Sequence, residues 1–202
     1  PFYVFSYEAH LRAVKEPKSS LEIEPFMTAF KAYFKDFKDF EEPGQHYLDE
    51  ERNYKMELLN KFSARREPIL QLVEEDKAAE AVDEIRKLVQ LGPGSLVGWR
   101  DWETVFGKPV KEEVAQDLLE AFIEAAEGEY EGAGTIKPVL SAAQKHEVKL
   151  TWDITSVLLW LLNPREYFPI KISKIRDLAD YIGWPVKRKQ RPNEKAFNNV
   201  MR

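Results

Sequence analysis

The stretch from Leu150 to Trp184 constrains the fold more than any other part of the chain. Trp152 to Leu162 reads Trp-Asp-Ile-Thr-Ser-Val-Leu-Leu-Trp-Leu-Leu, the most hydrophobic helix pattern present, and Leu158 to Leu162 must be core. Thr151 or Asp153 caps its start and Pro164 ends it. Asn163 to Ile170 then forms a turn stiffened by Pro164 and Pro169, with Tyr167, Phe168 and Ile170 as an apolar anchor. A second helix follows, capped by Ser173 and ending at Gly183. Lys171, Ser173, Lys174 and Arg176 crowd its first turn. Cations at a helix N-terminus oppose the dipole, and an anion such as a DNA phosphate would offset that repulsion.

Charge extends the same reading. Residues 164–202 hold 10 Lys/Arg against 4 Asp/Glu, a net of +6, while residues 1–163 carry a net of −11. An acidic body with a basic end suits a nucleic-acid surface or an acidic partner; the alternative is a solvated basic tail. Lys187, Arg188, Lys189 and Arg191 form a second candidate phosphate-contacting segment, each contact adding to the salt dependence of binding.

The rest of the chain reads as helices. Phe2 to Tyr7 is a short strand or an extended arm. Phe26, Phe30, Tyr33, Phe34 and Phe37 recur at helical spacing, and Pro43-Gly44 stops that helix. Asp49 to Arg66 is the next helix; Pro68 restarts the chain into Ile69–Glu75, and Asp76 caps a helix carrying Ala79, Val82, Ile85, Leu88 and Val89. Gly92 to Ser95 is a break. Beyond it come a short aromatic piece with Trp99 and Trp102, then a helix with Val114, Leu118, Leu119 and Phe122. After the acidic, Gly-rich loop 128–134, Thr135 to Gln144 is helical, and Pro192 to Met201 forms a last short helix. No segment alternates with period two, and no fixed-period repeat is visible. The expected fold is all-α: one compact multi-helix domain over 1–202 with nine to ten short helices. If it is subdivided, the break separates 1–91 from 96–202.

Several function classes fall away. With 44% hydrophobic and 32% charged residues the composition is that of a folded chain, and 202 residues suffice for a core. Having no cysteine excludes disulfides, thiolate catalysis and Cys-ligated zinc. His10, His46 and His146 are far apart and form no metal-ligand pair. No phosphate-binding glycine motif and no Gly-x-Ser-x-Gly elbow occurs; the Gly132–Thr135 turn is a weak anion-binding candidate. No metal or cofactor is expected. The longest apolar run is far short of a membrane span and no signal peptide is visible, so a cytoplasmic location is expected. A start at Pro1 suggests a piece of something longer.

Trp99, Trp102 and Trp184 are candidate base-stacking residues, since an indole face can stack on a base or line a pocket for an extruded one. Trp152 and Trp160, on the apolar helix, read as core.

Two resemblances carry these features further. Helix, Pro-bounded turn, Pro169-Ile170 and a helix ending Leu178-Ala179-x-Tyr181-Ile182-Gly183 resemble the helix-hairpin-helix DNA glycosylase core over about 35 residues. Lys171 stands where that family has its catalytic Asp, and no Leu-Pro-Gly-Val-Gly hairpin precedes Trp152, so that resemblance implies a DNA-facing scaffold without excision chemistry. More broadly, three segments resemble the helical amino-terminal regions of McrB-type modification-dependent restriction proteins. They are Asp49-Glu50-Glu51-Arg52-x-x-Lys55, Leu96-Val97-x-Trp99-Arg100-Asp101, and Leu161-Leu162-Asn163-Pro164-x-x-Tyr167-Phe168-Pro169-Ile170. That resemblance implies a module that recognises DNA, often at a modified base, beside motor and nuclease subunits of the same system. The motor motif is absent from this chain.

The leading expectation is a DNA-recognition module that is not itself an enzyme. The alternative is a helical protein-interaction or assembly module, using the aromatic stripe Phe26 to Phe37 if it is not core. A third reading is a small glycosylase-like enzyme with Lys171 as an amine nucleophile.

Overall fold

The structure, a computed structural model, describes residues 23–90, 95–128, 136–171, 191–194, 196 and 197. Seven helices of eight or more residues occur among them, and no strand: α1 (Ile23–Tyr33), α2 (Asn53–Glu74), α3 (Ala78–Val89), α4 (Trp99–Phe106), α5 (Glu112–Glu127), α6 (Lys137–Lys145) and α7 (Trp152–Leu162). One short turn, Gln45–Tyr47, and one π-helical turn, Leu48–Arg52, lead into α2. The all-α expectation holds among the described residues, which carry seven such helices where nine to ten were expected of the whole chain. The helices expected over 173–183 and 192–201 fall wholly or partly outside the described residues, as do the arm 2–7 and the turn 132–135.

The chain also makes fewer, longer helices than expected at Pro68. That residue lies inside α2, which runs unbroken for 22 residues. An internal proline loses one hydrogen bond and costs about 3 kcal/mol. Burial of Leu58, Phe62, Ile69 and Val73 on one face of the same helix outweighs that cost, at roughly 1.5–3 kcal/mol per side chain.

Two compact units divide the described residues: 23–57 with Lys171, and those of 58–170 with 191–197. The division falls inside α2, at Glu57/Leu58, and not at the 92–95 break considered from sequence.

In the first unit Phe30, Phe34 and Phe37 are the core, with Met27, Phe40 and Tyr47 packed around them. Phe30 and Phe37 meet edge to face at 4.7 Å. Phe30, Phe34 and Phe37 of the aromatic stripe are therefore core, while Tyr33 is 37% exposed. Gly44 closes this unit's loop at φ 75°, where a Cβ would lie 2.6 Å from Asp36 Cγ. Asp36 Oδ2 in turn accepts the His46 N–H at 3.0 Å and serves the orphan amides of the turn that follows. That bond holds the Asp36 carboxyl below its usual range.

In the second unit α5 packs against α3, α6 and α7, and α4 packs on α7. α7 is the most buried helix, with every residue from Trp152 to Leu161 buried. A helix apolar around its whole circumference must be covered on all sides, as the sequence implied. Thr151 Oγ1 caps it by accepting the Ile154 N–H.

Helix ends show where local expectation failed. Asp76 does not cap α3. It sits at φ 57° just past α2, where Asp76 N–H reaches Val73 O and Lys77 N–H reaches Leu72 O. That pattern is a Schellman ending, a position that favours glycine. The N-terminal Ala79 amide of α3 is met instead by Glu112 Oε1, from the start of α5. Glu147, at φ 55°, ends α6 in the same way, through Glu147 N–H to Gln144 O and Val148 N–H to Ala143 O.

Candidate nucleic-acid interface

The turn 163–170 is a clasp. The last carbonyls of a helix lack partners within it. At the end of α5, Asn163 Nδ2 donates to Ala126 O at 2.9 Å and Tyr167 Oη donates to Ala125 O at 3.0 Å. Burial pushes the Tyr167 phenol up to about 12, so it remains a donor at neutral pH. Phe168 and Ile170 are buried beside it. The Ile170 N–H then donates to Ser156 Oγ at 2.7 Å, and that hydroxyl donates to Trp152 O at 2.8 Å. The chain therefore arrives at Lys171 from a fixed point on α7.

It is fixed again on the far side of the basic stretch. Asn193 caps a short turn, with Oδ1 accepting the Ala196 N–H at 3.0 Å and its carbonyl accepting the Phe197 N–H at 2.8 Å. Phe197 is 1% exposed. Its ring lies 6.2 Å from Trp152 at an interplanar angle of 8°, and 6.3 Å from Tyr167. Lys137 and Glu194 add an ion pair at 3.3 Å. Trp152 and Ser156 are one helical turn apart, so neighbouring positions on α7 hold the chain both before Lys171 and after Arg191.

Of the sequence-derived phosphate contacts, Lys171 is half-buried directly after the clasp and Arg191 is exposed. Ser173, Lys174, Arg176, Lys187, Arg188 and Lys189 lie outside the described residues, as does Trp184. Trp99 opens α4 and is 56% exposed, with the Arg100 guanidinium 5.2 Å from its ring centroid. Trp102 corrects the sequence reading. It is 0% exposed and packs at 5.0 Å on Phe106, so its faces are closed to a base. Its indole Nε1 has no acceptor among the described residues. The two tryptophans differ in direction: Trp102, Val105 and Phe106 make the buried face of α4, and Trp99 points away from it.

The 49–55 segment uses its charges internally. Tyr33 Oη donates to Glu50 Oε2 at 2.7 Å, and His46 Nε2 lies 3.2 Å from Glu50 Oε1. Glu51 is 2% exposed and pairs with Lys55 at 2.8 Å. Burial raises the Glu51 carboxyl and lowers the Lys55 ammonium despite their attraction. In the second unit Asp117 receives both Lys145 and His146, which tie α6 to α5. No group of three His, Asp or Glu side chains suited to a metal occurs among the described residues. No described helix is long and apolar enough to cross a membrane.

Sequence reasoning did not single out Ser156 or Phe197. Both act across long separations, at 14 residues for the Ser156–Ile170 bond, and neither sits in a motif that announces a partner. No protein-family model, curated protein or solved structure matches the chain.

Proposed function

We propose that the chain is a DNA-recognition module of a restriction or defence machine, reading a modified base and leaving force and cleavage to motor and nuclease subunits. The observation that supports this most is the double attachment on α7. Ile170 is held at Ser156 and Phe197 at Trp152, with Lys171, Ser173, Lys174, Arg176, Lys187, Arg188, Lys189 and Arg191 in the sequence between them. Residues 164–202 carry 10 Lys/Arg against 4 Asp/Glu, the cationic excess that phosphate contacts require. Phosphate contacts supply affinity, while base selection needs a separate element. Trp99 with Arg100 suits that role, since an exposed indole backed by a guanidinium stacks on a base. α5 does not suit it: Glu113, Glu120, Glu124 and Glu127 are exposed there and would repel a phosphate backbone.

Fluorescence anisotropy with a labelled duplex at low salt tests the proposal. Binding that strengthens when the duplex carries a methylated base is expected. Absence of binding to both duplexes would overturn it.

A further inference from the structure

We propose that the groove between α2 and α3 is a docking site for a cationic amphipathic helix of a partner protein. The inference goes beyond DNA recognition and does not depend on it.

The two helices form a hairpin around the turn 75–77, and the groove between them lies wholly within the second unit. An ion pair from Arg65 of α2 to Glu84 of α3, at 2.8 Å, bridges the helices. The groove holds about 560 Å³ and follows α2 from Arg65 to Glu75. Ten residues of helix span about 15 Å, room for roughly three turns of a docked helix.

The walls differ in kind. α3 buries Ala78, Ala81, Val82, Ile85 and Val89 against its own unit and turns Glu80, Asp83 and Glu84 to the groove. α2 supplies an apolar floor: Pro68 is exposed, Leu72 is half-buried and Ile69 is buried beside them. Pro68 and Leu72 are four residues apart and share one helix face. An apolar strip of this kind is what the i, i+3, i+4 anchors of an amphipathic helix fill.

Charge selects the occupant. Lys77 is engaged by Glu75, and Arg65 and Lys87 both meet Glu84. Glu80 and Asp83 are exposed and enter no ion pair among the described residues. They stand one turn apart on the same side of α3, so an arriving Lys or Arg relieves the repulsion between them. The Ala64 carbonyl, on an exposed residue, adds an acceptor, because Pro68 has no N–H to give it. The same carboxylates repel a phosphate backbone, so the groove suits a protein helix and not DNA.

Anisotropy with the full chain and labelled peptides tests this. The probe is a helical peptide of about 14 residues, with leucines at i, i+3, i+4 and i+7 and lysines beside them. One control peptide replaces the lysines by glutamates, and another replaces the leucines by serines. The protein variant Glu80→Lys, Asp83→Lys changes two exposed positions and leaves the core intact. The lysine peptide is expected to bind the parent and to bind the double variant roughly tenfold more weakly. The glutamate peptide should prefer the double variant, and the serine peptide should bind neither. No binding of the lysine peptide to the parent, or equal binding to parent and variant, would overturn the proposal. So would a serine peptide that binds as well as the leucine one, since the apolar floor would then play no part. A parent that self-associates in sedimentation, and a double variant that does not, would mean that a second copy of this chain covers the groove, and the proposed partner helix would be wrong.

Discussion

Ile170 donates its backbone N–H to Ser156 Oγ at 2.7 Å, and this bond joins the end of the 163–170 clasp to the centre of the most buried helix. Both groups are buried, so neither can turn to water when the other is removed. Ser156→Ala should therefore destabilise the protein by about 1–3 kcal/mol, the cost of stranding a buried amide. Urea titration at equilibrium would show a lower midpoint at an unchanged slope. A midpoint within error of the parent would mean that the clasp does not depend on this bond.

Trp99 and Trp102 should separate cleanly. Trp102 fills the core beside Phe106, and its truncation to Ala should cost roughly 3–5 kcal/mol. Trp99→Ala removes a ring that is 56% exposed and should change stability by no more than about 0.5 kcal/mol. Thermal melts of the two variants check this, and comparable losses would place Trp99 in the core as well.

The two non-glycine Schellman endings offer stabilising changes. Asp76 and Glu147 hold φ values of 57° and 55°, which cost a side-chain-bearing residue about 1 kcal/mol. Asp76→Gly and Glu147→Gly should each gain roughly 0.5–1 kcal/mol, reduced by the greater freedom of glycine in the unfolded chain. Gly44→Ala should do the reverse, because its Cβ would collide with Asp36. Denaturant midpoints that rank the three variants in another order would refute this account of the turns.

Glu51 and Lys55 are predicted to cost more singly than together. Lys55→Met leaves a buried carboxylate without its cation and should lose about 3–5 kcal/mol at neutral pH, whereas replacing both residues by Met should be near neutral. The sign with pH follows from the direction of the shift. The Glu51 carboxyl is raised in the folded state, so its contribution is fully present below the usual carboxylate range and is lost as pH rises through the folded value. Asp117 behaves oppositely. Hydrogen bonds from Lys145, then His146, lower its carboxyl, so its contribution is present above the usual range and is lost as pH falls through the depressed value. Asp117→Asn should flatten the acid limb of a stability-against-pH curve, and an unaltered limb would show that this cluster does not stabilise the fold.

The features that proved legible in the sequence were those written in local periodicity. The apolar helix Trp152–Leu162 and its termination before Pro164 follow from side-chain spacing and proline chemistry, whereas the choice of Thr151 over Asp153 as its cap needed the structure. Pro68 misled because a local rule counts the lost hydrogen bond but not the face of Leu58, Phe62, Ile69 and Val73 that carries α2 through it. Asp76 misled because its type suits either a cap or a left-handed turn, and only the backbone angle decides. Trp102 and Trp99 could not be told apart until the buried side of α4 was known. The attachment points were hidden for a further reason. A serine in a hydrophobic helix and a phenylalanine near the end of the sequence take on meaning only through Ile170 and Trp152, which long-range packing brings to them.

The salt dependence of duplex binding tests the central claim most directly. Affinity should fall linearly with salt on logarithmic axes. The triple variant Lys171→Ala, Lys174→Ala, Arg188→Ala should bind more weakly with a shallower slope, by about 0.9 for each phosphate no longer neutralised. A parent chain that binds no duplex at low salt, or a triple variant whose slope equals the parent's, would contradict the assignment of this basic stretch to DNA.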